Sequence, residues 1–405
     1  EYDGALRILN ERLDLEGLPP MDFVGAKGTA KGFSKSNHRV PTLSLDNVFS
    51  NAEMERYVNG TQEKGVTSFI AEPKIDGLSL TLTYVDGLLI KGVTRGDGLI
   101  GEDVTENVRF MKDVPAGIPM MGLVEVRGEA YMQKADFLAM NVELEAAGKK
   151  LKANPRNAAA GTLRQHDVKE VQKRGLSFIA YTLESSSPLP FSLDSECMDA
   201  LASMGFNAIE YTVIDTAHGS LMEQADRVFS FHNDIRSSRG YDVDGIVFKA
   251  NDLSIRQEIG ATSKFPLWGI AWKFDAEKAP TELLSVTYQV GRTGAVTPVA
   301  NLAPVGVGGV IVQRATLHGY ENFMKVAPKV GAKVIIQRAG DVVPEIVSMT
   351  GGEDTIEFPE TCPSCGRPLV QSGSSMFCTA SLPCPLYNSD AADDLLCVGL
   401  GAHRN

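Results

Sequence analysis

The residues best suited by type and spacing to do chemistry are Lys74 and Asp76, in Lys74-Ile75-Asp76-Gly77. A lysine amine can attack a phosphorus atom if it is held unprotonated, and burial or neighbouring cations favour that state. In an extended chain Asp76 points the same way as Lys74, where it can position the amine or a metal ion. Alone, so short a pattern is more often a solvated surface lysine. It gains weight from charges that recur at strand ends: Arg95 in Thr94-Arg95-Gly96-Asp97-Gly98, Glu129 in Val126-Arg127-Gly128-Glu129, Lys249 closing Asp244-Gly245-Ile246-Val247-Phe248-Lys249, and Lys273 in Ala271-Trp272-Lys273-Phe274. Charges ending apolar strands are costly to bury unless paired, and a phosphate would pair with several such cations.

A second chemical cluster lies near the C-terminal end. Four of the six cysteines fall in Cys362-x2-Cys365 and Cys378-x5-Cys384, while Cys197 and Cys397 stand apart. A Cys-x2-Cys knuckle brings two thiolates onto one ion, and four thiolates complete a tetrahedral zinc site with no open position. A structural metal is therefore expected. A zinc ribbon, a rubredoxin-like iron centre and a protein-binding module all remain open on spacing alone. Metal spacing rather than a disulfide framework fits a reducing cytoplasm.

These groups need elements to hold them. Leu78, Leu80, Leu82 and Tyr84 alternate with Ser79, Thr81 and Thr83, which predicts a strand with one buried face. Asp86-Gly87 signals a hairpin turn into a strand over Leu88 to Val93. Helices are expected at 134–148 and 221–238, strands at 176–183 and 243–249, and a loop at 21–42. A helix end is expected at 1–18. After about residue 276, short β-branched runs (Val286–Val290, Val310–Val312, Lys333–Gln337) alternate with Gly and Pro, which predicts a small all-β barrel.

The chain has 405 residues, 43% of them hydrophobic, which implies two to four domains. Its net charge of -12 gives no global field for nucleic acid, so DNA binding would need local basic patches. No basic-plus-apolar leader stands in the given sequence and no apolar run approaches 18 residues, so neither a signal peptide nor a membrane span is expected. The glycine-rich phosphate-loop motif ending in Gly-Lys-Ser or Gly-Lys-Thr does not occur, which leaves a P-loop ATPase unsupported. The chain begins at Glu1 without Met and stops at Asn405 with no closing element, and is expected to be a fragment.

These motifs in this order resemble the nucleotidyltransferase superfamily of DNA ligases, RNA ligases and mRNA capping enzymes. The wider set resembles the bacterial NAD-dependent DNA ligases, truncated at both ends: Leu43 to Phe49 (LSLDNVF), Thr94 to Val104 (TRGDGLIGEDV), Asn154 to Gln165 (NPRNAAAGTLRQ), Gln289 to Pro298 (QVGRTGAVTP), Ala315 to His318, Arg338 to Pro344, and the four cysteines. The resemblance covers nearly the whole chain. It departs at Leu267, where the family usually has Arg, and at Asp275, where Pro is usual.

The resemblance implies an α+β nucleotidyltransferase (adenylation) domain, an all-β OB-fold barrel and a small four-cysteine zinc module. The division it implies is a remnant of an N-terminal nicotinamide-recognition domain at 1–20, adenylation at 21–275, OB-fold at 276–358, zinc finger at 359–388, and the start of a helix-hairpin-helix region at 389–405. It implies a monomer that seals nicked double-stranded DNA in replication and repair, with NAD, Mg²⁺ (or Mn²⁺) and Zn²⁺. Lys74 would carry AMP. Ser44, Leu45, Glu72, Arg95 and Glu129 would line the adenosine pocket, with Tyr181 either stacked on adenine or simply a core tyrosine. Lys249 and Lys273 would meet the α-phosphate, and Asp76 and Asp244 would lie nearest Mg²⁺. Arg156, Arg164 and Arg236 would approach the nick phosphates. Arg292, Lys333 and Arg338 would contact the DNA backbone from the barrel. Two rival readings stay open: an ATP-dependent ligase or capping enzyme, and a non-catalytic zinc and OB DNA-binding protein.

Overall fold

The computed structural model describes residues 32–149, 151–275, 277–291, 293–307, 310–338 and 344–379. The chain divides into two compact units, Glu1–Phe274 and Asp275–Asn405.

The first unit is built on two main sheets. The five-stranded sheet runs in the order Asp46–Val48, Gly269–Lys273, Val243–Ala250, Ser68–Ile75, Thr212–Asp215, with only the first pair parallel. The four-stranded antiparallel sheet runs Leu88–Thr94, Leu78–Val85, Leu123–Tyr131, Ser177–Ser185. Side chains alternate across a strand, so each strand of the first sheet divides its residues between two surroundings. Phe69, Ala71, Ile246, Phe248, Ile270 and Trp272 pack with Met54, Val58, Leu221 and Ala225 in one core. Those four belong to the helices Asn51–Gln62 and Leu221–Ile235. Glu72, Lys74, Gly245, Val247, Lys249 and Lys273 occupy the alternate positions, on the opposite face.

The chain passes from the first sheet to the second at Asp76-Gly77, between Ser68–Ile75 and Leu78–Val85. Gly77 is required there. A Cβ on it would stand 2.5 Å from the Ala130 carbonyl oxygen and 2.7 Å from Glu129 Cγ.

The hairpin at Asp86-Gly87 is present. Both residues have positive φ, 47° and 82°, and Val85 pairs with Leu88, the geometry of a two-residue type I′ turn. The helices Lys134–Ala146 and Leu221–Ile235 and the strands Ser177–Ser185 and Val243–Ala250 lie close to their predicted spans. Two expectations need correcting. Thr81 and Thr83 are buried along with Leu80, Leu82 and Tyr84, so that strand is covered on both faces. In the predicted loop, Lys35–Asn37 forms a strand paired with Ile100–Glu102, a partner its polar local sequence does not announce. The helix end predicted at 1–18 lies outside the described residues.

In the second unit five strands close on themselves: Glu277–Val290, Lys333–Arg338, Glu345–Thr350, Val310–Thr316 and Ala295–Val307, the last pairing back onto the first. Closure leaves no open edge between them. Leu283, Ala300, Leu302, Val312, Val334 and Ile336 fill the interior with Phe323 of the helix Tyr320–Val326. The hairpin Leu369–Ser372/Ser375–Cys378 extends the sheet beside Ala295 and Val296.

Candidate active site

Sheet register lines up the chemistry. Lys74 pairs with Gly245, and Gly245 with Lys273, so the two lysines flank a glycine in one row. Two strand spacings put their backbones about 10 Å apart, too far for direct contact between backbones. Asp244 closes that gap. The register of Val243–Ala250 against Ser68–Ile75 shifts between Val243 and Gly245, leaving Asp244 as the extra residue of a β-bulge. Bulges re-aim side chains. The Asp244 carboxylate here takes Lys74 Nζ at 3.0 Å and Lys273 Nζ at 2.7 Å. Burial works to raise its pKa, but Lys74 and Lys273 outweigh it and hold the carboxyl below its ordinary value. The group touching the Lys74 amine is thus a carboxylate shared with a second lysine, rather than the ring of cations that strand ends alone suggest.

Asp76 is held by Arg156, whose Nη1 lies 2.9 Å from Asp76 Oδ1. Arg156 lies in the first turn of the helix Pro155–Leu163, which Pro155 opens and the Asn154 side chain caps. Across the second sheet Ser79 pairs with Glu129. Tyr181 is the extra residue in a register shift opposite Arg127 and Gly128. Its hydroxyl lies 3.1 Å from Ser79 Oγ and donates to Glu129 Oε2 at 3.4 Å. Burial pushes the Glu129 carboxyl up to about 7 against the pull of Arg156 and Lys74.

That shift carries a sign. The folded protein keeps a proton on Glu129 that the unfolded chain releases above about 4.5. Stability should therefore fall as pH rises from about 4.5 to 7 and level off above it. The size is roughly 3 kcal/mol, from 1.36 kcal/mol per pKa unit. Glu129→Gln is expected to be the more stable protein at pH 8 and to lose that part of the slope. Denaturant unfolding at pH 5 and pH 8 checks it, and parallel profiles for both proteins would contradict it.

Lys249 stands two rows from Lys74, opposite Ile70 and Gly269. Its ammonium lies 2.6 Å from Glu72 Oε1, 2.9 Å from Asp194 Oδ2 and 3.0 Å from the Tyr181 carbonyl oxygen. This side chain rests against those three acceptors and does not share Asp244 with Lys273. Glu72 is buried, and burial outweighs Lys249 to raise its pKa. Leu45 comes over the same end: its Cδ2 would lie 3.1 Å from a Cβ on Gly269. The segment carrying Ser44 and Leu45 is tied down on both sides. Arg127 donates to the Val40 and Pro41 carbonyls, Thr42 bonds Gly98, and Asp46–Val48 joins the five-stranded sheet. Arg95 Nη1 donates to Ser44 Oγ at 3.4 Å.

Ser44, Leu45, Glu72, Lys74, Asp76, Arg95, Glu129, Arg156, Tyr181, Asp244, Lys249 and Lys273 are thus linked by contact or by register. Arg164 instead pairs with Glu102 at 2.6 Å, and Arg236 sits over the Phe274 ring at 5.5 Å. Lys333 is exposed on a barrel strand. Arg292 and the side chain of Arg338 lie outside the described residues. Sequence reading missed Asp194, Arg256 and Ser79. Asp194 begins a helix and has the look of a solvated first-turn acid, so no local signal marks it.

In the second unit the Sγ atoms of Cys362, Cys365 and Cys378 lie within 4.8 Å of one another. Cys365 and Cys378 are 3.4 Å apart and unbonded, well beyond the ~2.05 Å of a disulfide. Tetrahedral zinc at ~2.3 Å from each sulfur requires roughly 3.8 Å between sulfurs, so the cluster fits the ion. Cys384 lies outside the described residues. No other group of three or more His, Cys, Asp or Glu side chains converges among the described residues.

Residues 30–277 match the family model for the NAD-dependent DNA ligase adenylation domain, and residues 280–355 that for the NAD-dependent DNA ligase OB-fold domain. This chain belongs to the NAD-dependent DNA ligase family. It is 42% identical to the DNA ligase of Nitrobacter hamburgensis, over 95% of this chain and 58% of that ligase. It is 41% identical to the DNA ligase of Parvibaculum lavamentivorans, over 95% and 57% respectively. The chain thus spans little more than half the length of these ligases. Among solved structures, a Lig E DNA ligase shares 14% identity with a TM-score of 0.42, covering 77% of this chain and 100% of that one.

Proposed function

We propose that this chain is the adenylyl-transfer core of an NAD-dependent DNA ligase that seals nicks in duplex DNA. The observation that carries the reading is the Lys74–Asp244–Lys273 row, set on one sheet face in a chain of this family. Lys74 attacks the adenylyl phosphorus of NAD; the new N–P bond forms as the bond to nicotinamide mononucleotide breaks. AMP then moves to the 5′-phosphate at a nick, and the 3′-hydroxyl displaces it.

Each step is displacement at phosphorus, so position and charge neutralisation dominate. Asp244 orients the Lys74 amine, and Lys273 offsets charge on the phosphate. Mg²⁺ usually arrives on phosphate oxygens with one or two carboxylates. Asp76 and Asp244 are the carboxylates that would lie nearest it. Lys249, resting against Glu72, serves the base end of the nucleotide instead of the phosphate. Glu129, Tyr181 and Ser79 face the ribose, and Arg156, Arg164 and Arg236 meet nick phosphates. Zinc held by the cysteines is structural.

On this proposal the protein works in the cytoplasm, as a monomer, in replication and repair. No helix among the described residues is long and apolar enough to cross a membrane. Intact mass spectrometry of the whole protein after NAD, or after ATP, tests the choice of nucleotide: an AMP adduct from NAD is expected, and an adduct from ATP alone overturns it. Elemental analysis should find one zinc per chain. Cys362→Ser should lower zinc content and barrel stability while leaving adduct formation from NAD nearly intact; unchanged zinc content would remove Cys362 from the site.

A further inference from the structure

One buried charged pair has no part in the chemistry so far. Asp194 opens the helix Asp194–Ser203, and its side chain is 4% exposed. Besides Lys249 it binds Arg256, whose Nη2 lies 2.6 Å from Asp194 Oδ2. The Arg256 guanidinium also donates to the Ala250 carbonyl at 2.6 Å and lies over the Trp268 ring at 4.5 Å. The helix start is pinned, with Asp194 N donating to the Asn251 carbonyl at 2.8 Å and Ser195 N to Asn251 Oδ1 at 3.0 Å. Asp194 is therefore a rigid anion behind Lys249.

Three desolvated charges are a poor way to gain stability, since apolar residues of like volume usually do as well. Their geometry does something else. Lys249 has three N–H donors, and Asp194 and the Tyr181 carbonyl occupy two. The third is directed at Glu72 on the sheet face, and it is the donor an incoming base can take over while Glu72 accepts from the base in its place. Without Asp194, Lys249 and Arg256 would be two neighbouring cations with Glu72 as the carboxylate left to answer both. Glu72 would then be drawn back from the face.

We propose that Asp194, braced by Arg256, is a positioning residue that holds the Lys249 ammonium beside Glu72, so that the two present a donor next to an acceptor to the edge of a purine. Adenine matches that pattern with N1 as acceptor beside its amino donor. Hypoxanthine, with N1–H beside O6, reverses it. The inference rests on the proposed function, in which Glu72 and Lys249 serve the base.

The test compares NAD with its deaminated analogue, nicotinamide hypoxanthine dinucleotide, as sources of the lysyl-nucleotide adduct. Wild type should prefer NAD by on the order of 100-fold in kcat/KM, as a hydrogen-bonding site discriminates. Asp194→Asn should raise KM for NAD at least tenfold, leave kcat within about threefold, and shrink the preference about tenfold. Arg256→Lys keeps a cation and should shift the preference the same way by less; it decides the matter if Asp194→Asn does not fold. Equal losses for both dinucleotides, or an unchanged preference, mean a merely structural role and overturn the inference. If wild type forms the adduct and the variants keep its preference, this inference falls alone. If wild type forms no adduct from NAD, the proposed function falls and takes it along.

Discussion

Lys74→Ala is expected to form no nucleotide adduct and to lose on the order of 10⁴-fold or more in nick sealing, the scale seen when a covalent nucleophile is removed. Lys74→Arg sharpens the expectation. A guanidinium keeps the positive charge beside Asp244 but stays protonated and cannot attack phosphorus. If the Lys74 charge alone were needed, the arginine variant would retain activity; if the amine is the nucleophile, it fails like alanine. Both variants should still seal, more slowly, a nick supplied with its 5′-phosphate already adenylated, because the lysine bonds to AMP only before that stage. Adduct mass and gel assays on both substrates check this, and an adduct on either variant contradicts it.

Asp244→Asn should also damage catalysis, at about 10²-fold or more, because a neutral amide cannot draw two ammonium groups together. Its effect on stability is smaller than burial alone suggests. Breaking a fully buried pair costs about 3–5 kcal/mol. Lys74 and Lys273 are 24% and 25% exposed, so water takes over part of their solvation. About 1–2 kcal/mol at pH 7 is the expected loss.

The pH dependence has a definite sign. The folded pKa of Asp244 is depressed, so its stabilisation is complete above the unfolded value of about 3.9 and is lost as pH falls through the folded value. The gap between wild type and Asp244→Asn should close below about pH 4. Urea unfolding at pH 7 and pH 3 measures it. A variant as stable as wild type at pH 7 would mean the carboxylate is not holding the lysines.

Local sequence made some of this architecture legible. Asp86-Gly87 could be read because only a few residues tolerate positive φ at both central turn positions. The lysines at strand ends could be read because apolar strands rarely close on a charge. The closed barrel followed from short β-branched runs broken by glycine. What stayed hidden depends on partners far along the chain. The bulge that aims Asp244 arises only when Val243–Ala250 pairs with Ser68–Ile75. Lys35–Asn37 is a strand only because Ile100–Glu102 lies beside it. Asp194, Lys249 and Arg256 are ordinary surface types whose burial together comes from tertiary packing. The resemblance supplied most residue roles, and the structure gives their arrangement: two lysines drawn to one aspartate, and a third lysine turned to the opposite end of the face.

The most direct measurement is peptide mapping by tandem mass spectrometry of the whole protein after incubation with NAD. AMP on the peptide containing Lys74, joined at its amine, is the predicted result. AMP on any other residue, or none with NAD and Mg²⁺ in excess, would contradict the assignment of Lys74 as the nucleophile aimed by Asp244.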